Sequence, residues 1–104
     1  MWTLPGVTPP ARPPRVNGEW APWSQVTIDP NDRGFIGGDV VFDVARTFDG
    51  KIFRMKEHVD RLYRSLTYAH IDPGLTKQEM TDISEKVVTR NEDVRSEVGD
   101  GSIR

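Results

Sequence analysis

Arg46 is the first residue whose setting suggests ligand chemistry. It lies in a run of β-branched and aromatic residues, VVFDVARTF (residues 40–48), in which strand alternation places it on one face with Phe42 and Val44. An arginine on an otherwise apolar face needs solvent, a carboxylate or a ligand, because an unpaired buried charge is costly. Periodicity alone favours the alternative of a strand-edge arginine that reaches solvent or stacks on Phe53.

Arg61 is the second candidate, near the start of a helical pattern and one turn after Glu57 and His58. Where a sheet meets a helix, a guanidinium group presents a fork of N–H donors that suits a phosphate group. The alternative is a surface ion pair with Glu57, four residues earlier on the same helix. Spacing alone favours the surface ion pair.

Other catalytic and binding patterns are weak in this sequence. Neither His58 nor His70 has a partner at metal-ligand spacing, and no serine lies in a nucleophile elbow. The glycines of residues 32–39 precede a strand instead of opening a helix, and no Gly-Lys-Ser/Thr follows them. The sequence therefore predicts no metal site, no catalytic triad and no phosphate-binding loop.

Composition narrows the class of protein. A chain of 104 residues forms one domain at most, and the absence of cysteine excludes a disulfide scaffold and a thiolate metal site. A net charge of −2 gives no general attraction to nucleic acid. No apolar run approaches the length of a membrane span, and the first 15 residues lack the apolar core of a signal peptide. We expect a cytoplasmic protein.

The first half of the chain reads as an arm followed by strands. Five prolines within residues 1–14 predict an extended or disordered arm over residues 1–15. Asn17-Gly18 and Asp49-Gly50 predict two hairpins with type I′ turns, the second of which would set Arg46 opposite Phe53. Between them we expect a short strand over residues 24–28, a shaped loop over residues 29–38 and a strand over residues 40–48.

The second half changes to a helical period. Residues 56–69 form one predicted helix, and residues 76–90 form another that begins with a capping box between Thr76 and Glu79. The predicted buried stripes are Val59, Leu62, Tyr63, Leu66 and Ala69 on the first helix, and Met80, Ile83 and Val87 on the second. Residues 91–104 are polar. The predicted fold class is α+β, a mostly antiparallel sheet with two helices packed on it.

The run from residue 32 to residue 65 contains three blocks in a fixed order. They are DRGF followed by GD, a VF strand followed by D-G-K-x-F, and a helix start E-H-x-x-R-L. Together with the upstream N-G-E hairpin, these blocks resemble the small N-terminal domain of the fold-type IV enzymes that depend on pyridoxal phosphate. That family includes branched-chain and D-amino-acid aminotransferases, and the resemblance covers roughly residues 16–90.

The resemblance implies a cofactor, a reaction and site residues. The cofactor is pyridoxal 5'-phosphate, whose phosphate group Arg61 would bind, and Phe42, Val44 and Arg46 would line the substrate pocket. Val41 and Asp43 would face away from that pocket. The implied reaction passes an amino group from an amino acid or amine to a 2-oxo acid, and the implied assembly is a homodimer.

The resemblance also implies that part of the enzyme lies outside this chain. In the family, the lysine that forms the Schiff base with the cofactor belongs to a larger C-terminal domain, so no catalytic residue is expected here. We expect residues 16–104 to form an incomplete small domain that is inactive alone. Two alternatives stay open: a pyridoxal phosphate lyase similar to aminodeoxychorismate lyase, and a non-catalytic module for binding or assembly.

Overall fold

A computed structural model describes residues 15–103. Apart from Arg15, which begins the first strand, the predicted proline-rich arm lies outside these residues. The described chain contains short antiparallel strands and four helices, so the α+β fold class is confirmed. Within this part of the chain, no helix combines the length and apolar character needed to cross a membrane.

Both predicted hairpins form. The first joins β1 (Arg15–Val16) to β2 (Glu19–Trp20), and the second joins β3 (Ala45–Phe48) to β4 (Lys51–Ile52). The two central residues of each turn have positive φ angles, 52° and 82° in the first and 53° and 76° in the second, as a type I′ turn requires. The Phe53 N–H donates to the Arg46 carbonyl at 2.9 Å, which confirms the predicted register.

The segment between the hairpins differs from the prediction. Instead of a strand at residues 24–28, a 3-10 turn forms at Trp23–Gln25, where the Gln25 N–H donates to the Pro22 carbonyl at 2.9 Å. The predicted loop contains one helical turn, α1 (Arg33–Ile36), because the Asp32 side chain accepts from the Gly34 N–H and caps it.

The predicted strand at residues 40–48 is shorter than expected, since β3 begins only at Ala45. Two N–H groups of residues 40–44 are used locally: the Val40 N–H donates to the Gly38 carbonyl, and the Val44 N–H donates to the Asp43 carboxylate at 2.8 Å. Backbone donors satisfied in this way do not pair with a neighbouring strand. Residues 40–44 therefore lead into the sheet without belonging to it.

The two long helices are confirmed to within one residue at each end. They are α2 (Met55–Tyr68) and α3 (Lys77–Arg90), and α3 begins with the predicted Thr76–Glu79 capping box. Val59 and Leu66 of α2 are buried together with Ala45 of β3. Ala69 is exposed, against the prediction, because α2 has already ended there.

The apolar stripe of α3, which the sequence predicted to be buried, is only half-buried. Met80, Ile83 and Val87 line a cavity of about 850 Å³ that opens between α3, α2 and the inner face of the sheet. Tyr63 links α2 to the chain just before α3, since its hydroxyl donates to the Leu75 carbonyl. Burial also raises the pKa of Tyr63, with a further rise from the charges of Glu79 and Asp72.

The C-terminal part holds a helix that sequence reasoning missed, followed by a short strand. A fourth helix, α4 (Glu92–Val98), follows α3, and its first turn contains two acidic residues that favour a helix N-terminus. The chain then returns as β5 (Ser102–Ile103), which pairs antiparallel with β3 so that Ala45 lies opposite Ile103. The larger sheet has the strand order β4-β3-β5.

Candidate functional site

The two faces of the strand segment differ in exposure as alternation predicts. Phe42 is 68% exposed and Val44 and Arg46 are also exposed, whereas Ala45 and Thr47 are buried on the opposite face. This alternation follows from the extended backbone, whose successive side chains point to opposite sides. An exposed phenylalanine and valine beside each other form an apolar wall.

Arg61 lies against Asp43 at the edge of this wall. Its Nε donates to Asp43 Oδ2 at 3.3 Å, and its Nη2 donates to Oδ1 of the same carboxylate. The Asp43 side chain is 12% exposed, while that of Arg61 is 57% exposed. The carboxylate thus holds the guanidinium from the protein side and leaves much of the arginine open to solvent. The alternative ion pair with Glu57 does not form.

His58 completes the cluster. Because it precedes Arg61 by three residues on α2, the two side chains lie on neighbouring positions of one helical face. Its Nδ1 atom is 3.3 Å from Asp43 Oδ2 and 3.1 Å from Arg61 Nη2. Nδ1 donates to the carboxylate when it holds a proton and accepts from the arginine when it does not. In either state, it restricts the positions that the two charged groups can take.

Asp43 and Arg61 are both ionised near neutral pH. Burial acts to raise the pKa of the Asp43 carboxyl, but hydrogen bonds from Arg61, the Val44 N–H and His58 outweigh it, so that the pKa lies below its usual value. The Asp43 carboxylate in turn raises the pKa of Arg61. A cation is therefore fixed in place at the end of the apolar wall.

A depression of about 340 Å³ brings the wall and the cation together. Its lining consists of Phe42, Asp43, Val44, Arg61, Leu62 and Ser65. Three of the residues named from the sequence thus share one cavity, namely Phe42, Val44 and Arg61. The expectation that Asp43 faces away from this cavity is wrong, because its carboxylate turns toward Arg61 and forms part of the lining.

Arg46 is not among the residues that line the depression. Its guanidinium carbon lies 5.3 Å from the centre of the Phe48 ring, on the exposed face of the sheet. The alternative from the sequence named Phe53 as the stacking partner, but Phe53 instead meets Phe48 edge-on at 5.5 Å and lies under Arg54 at 5.3 Å. One residue, Ala45, separates Arg46 from Val44 at the edge of the depression.

Sequence reasoning missed the partners of Arg61. Asp43 could have been found from its residue type, because an acidic side chain that is part-buried within a β-branched run requires a partner. The signal for His58 was its spacing from Arg61. Among residues 15–103, no group of histidine, aspartate and glutamate side chains is arranged to hold a metal ion.

Comparison with known proteins gives the family. The pattern of the family described as amino-transferase class IV matches residues 40–104, which is more than half of the chain. The chain belongs to the class IV aminotransferase family. The match begins just before the wall residues and includes the whole Asp43, His58 and Arg61 cluster.

Individual relatives agree with this assignment. The chain is 32% identical over 76 residues to a protein named D-alanine aminotransferase from Staphylococcus haemolyticus, covering 73% of this chain and 27% of the relative. It is 37% identical over 76 residues to a D-alanine aminotransferase from Listeria monocytogenes, covering 73% and 26%. It is 41% identical over 68 residues to a "Putative branched-chain-amino-acid aminotransferase" of Methanocaldococcus jannaschii, covering 65% and 24%. The chain spans about a quarter of the length of these relatives.

Proposed function

We propose that this class IV aminotransferase chain binds the phosphate group of pyridoxal 5'-phosphate through Arg61 and forms one wall of the substrate pocket. The reaction of the whole protein would be the transfer of an amino group between an amino acid or amine and a 2-oxo acid, carried out by a homodimer. The observation that carries the proposal is the shared depression, in which a carboxylate-anchored arginine meets an apolar wall.

The donor set at Arg61 fits a phosphate group. Nε and Nη2 are engaged by Asp43, whereas Nη1 has no partner among residues 15–103. Those remaining N–H donors match the acceptor oxygens of a phosphate, to which arginine binds with good geometry. Since Asp43 already orients the guanidinium, less side-chain entropy is lost when an anion binds.

The apolar side of the depression suits the organic part of a substrate. Phe42 and Val44 present carbon surface beside the cation, and Leu62 of α2 continues that surface on the helix side. Such a wall sets the shape of the group it accepts and excludes water from it. In the proposed role, Arg46 binds the substrate at the far end of the same face, beyond Val44.

Pyridoxal phosphate, when bound, supplies an electron sink for bond breaking at the substrate α-carbon. The residues of this chain hold and orient the reactants around it. Arg61 binds the anionic end, Asp43 and His58 keep Arg61 in position, and Phe42 and Val44 shape the space for the substrate. The proposal assigns no proton transfer to this chain.

The experiment measures how much the phosphate group contributes to binding. Pyridoxine 5'-phosphate and pyridoxine are titrated separately into the protein, since neither carries the aldehyde that would react with surface lysines. We expect the phosphate ester to bind more tightly, and Arg61→Ala to reduce that preference by roughly tenfold or more, the range of charge-assisted hydrogen bonds.

The matched control is Arg64→Ala, which removes an exposed arginine from the same helix without touching the cluster. It should keep the full preference for the phosphate ester. Equal affinities for the two ligands in the unaltered protein, or an unchanged preference in Arg61→Ala, would contradict the proposal.

A further inference from the structure

The turn of the β3–β4 hairpin forms a small anion-binding concavity. Asp49 and Gly50 have φ angles of 53° and 76°, so their two successive N–H groups are left out of the hairpin ladder. Consecutive backbone N–H groups in turn conformations make concavities that bind anions. A carboxylate placed there satisfies both donors at once.

Asp100 occupies this concavity from 50 residues further along the chain. Its Oδ2 accepts from the Asp49 N–H at 2.7 Å, and its Oδ1 accepts from the Gly50 N–H at 3.0 Å. The Thr47 hydroxyl donates to the same Oδ1 at 3.1 Å. One carboxylate thus accepts from two backbone N–H groups at the tip of a single hairpin, and it shares the single Thr47 hydroxyl proton with the Gly101 carbonyl at 3.2 Å.

The neighbouring residue extends the contact into the sheet. The Thr47 N–H donates to the Gly101 carbonyl at 2.8 Å, and the Gly101 N–H donates to the Thr47 hydroxyl at 3.1 Å. Thr47 is 6% exposed, so these bonds are shielded from water. Immediately afterwards the chain pairs as β5, with Ser102 opposite Arg46.

The approach of Asp100 depends on Gly99. Helix α4 ends at Val98, and Gly99 adopts a φ of 86°, the left-handed conformation in which glycine commonly ends a helix. This reversal turns the chain toward the hairpin. The acidic residue that follows the glycine is therefore delivered to the tip of the turn.

We infer that Asp100 is a positioning residue for the strand that supports the pocket wall. A β5 of two residues provides little pairing of its own, and register is weakly specified in short strands. The bonds to Asp100 set the register between β3 and β5 and hold β3 in place. Residues 42–44 directly precede β3 in the chain, so this contact fixes the end of the wall that is nearest the sheet. The effect of this contact on substrate binding rests on the proposed function, whereas the contact itself is independent of that proposal.

Amide hydrogen exchange by NMR tests the inference on the 104-residue chain. In Asp100→Ala, the amides of Asp49 and Gly50 lose their acceptor, and we expect them to exchange at least about tenfold faster. If Asp100 sets the register, the Thr47 amide also exchanges faster and the Val44 methyl resonances shift. Unchanged exchange at residues 49 and 50 would overturn the contact. Faster exchange there, with Thr47 and Val44 unaffected, would overturn the positioning role.

Two further variants keep the test decisive. Asp100→Asn retains the side-chain size and one acceptor oxygen, so it should give intermediate exchange rates even if the alanine variant unfolds. Asp49→Asn removes a charge from the same turn, suits the type I′ conformation and leaves the Asp49 N–H in place. It should preserve the protection of Thr47 and Gly50, and faster exchange in this control would show that turn charge, not Asp100, is responsible.

Discussion

Helices α2 and α3 have the same length and similar stripes, yet they meet different surroundings. Both contain 14 residues, and they pack against each other. Val59 and Leu66 of α2 are 3% and 7% exposed, whereas α3 buries none of its residues to that degree. The second helix instead lines the cavity of about 850 Å³. A helical pattern therefore predicts the helix itself but does not show how completely its stripe is covered.

The difference matters for the candidate site, because α2 carries His58 and Arg61. On one side α2 is fixed by its buried stripe, and on the other by the contacts of Arg61 and His58 with Asp43. Helix α3 touches α2 through exposed groups, such as the ion pair in which Lys77 reaches Asp60 at 3.1 Å. The helix that carries the candidate site residues His58 and Arg61 is therefore also the one with the buried stripe.

The largest expected effect on the free energy of unfolding comes from truncating a buried side chain of α2. Leu66→Ala should lower the free energy of unfolding by about 2–4 kcal/mol, because it removes a fully covered side chain and leaves a cavity. Ile83→Ala on α3 should cost about 1 kcal/mol, since its side chain is only half-covered. Urea denaturation followed by circular dichroism gives both values. Equal losses would show that the two stripes are buried alike.

A smaller effect is expected at the start of α3, which depends on its own cap. Thr76→Ala should lower the free energy of unfolding by about 1 kcal/mol, because the hydroxyl no longer accepts from the Glu79 N–H. The control is Thr89→Ala, whose hydroxyl bonds only to the Glu85 carbonyl within the same helix. A loss at Thr89 as large as that at Thr76 would argue against the capping contribution.

The contact of α2 with Asp43 should depend on pH. The folded-state pKa of Asp43 lies below its usual value, so the ionised carboxylate stabilises the fold above pH 4, and this contribution is lost as pH falls through the folded-state pKa. Asp43→Asn should therefore be less stable than the unaltered protein at pH 7, by a difference that shrinks toward pH 2. Urea midpoints across this range measure it. A difference that stays constant with pH would exclude ionisation of Asp43 as its source.

The smallest effect is expected for the ion pair between the helices. Lys77→Ala removes an exposed partner of Asp60, which keeps its bond to Lys56 at 2.8 Å. Exposed pairs of this kind contribute little to stability, so the urea midpoint should match that of Lys86→Ala, an exposed lysine change on the same helix. A loss comparable to that of Thr76→Ala would mean that α3 depends on this charge for its position.

Local signals predicted much of the fold because they act within a few residues. The Asn17-Gly18 and Asp49-Gly50 turns, the Thr76 cap and both long helices are present as the sequence indicates. The predicted strand at residues 24–28 does not form. Backbone hydrogen bonds from Gln25 to Pro22 and from Val26 to Trp23 close a 3-10 turn there instead. Helix α4 was missed because its polar composition resembles a loop.

The candidate site could be predicted only in part. Alternation placed Phe42, Val44 and Arg46 on one face, and the resemblance to a family singled out Arg61. Neither showed that Asp43 would turn toward Arg61, or that Arg46 would stack on Phe48 outside the depression. Those outcomes depend on how residues 40–44 pack against α2. No spacing within the sequence specifies that packing.

By itself, the sequence determined the hairpin turns, the boundaries of the two long helices, the faces of the strand and the membership of a class IV aminotransferase family, because short-range sterics, hydrogen bonding and motif order govern each of them. The tertiary structure alone decided which charges meet. Asp43 and Arg61 are 18 residues apart, and Asp100 lies 50 residues from the turn it contacts. Such pairs form only after the elements between them have packed, and that packing sets where the guanidinium of Arg61 and the wall at Phe42 come together.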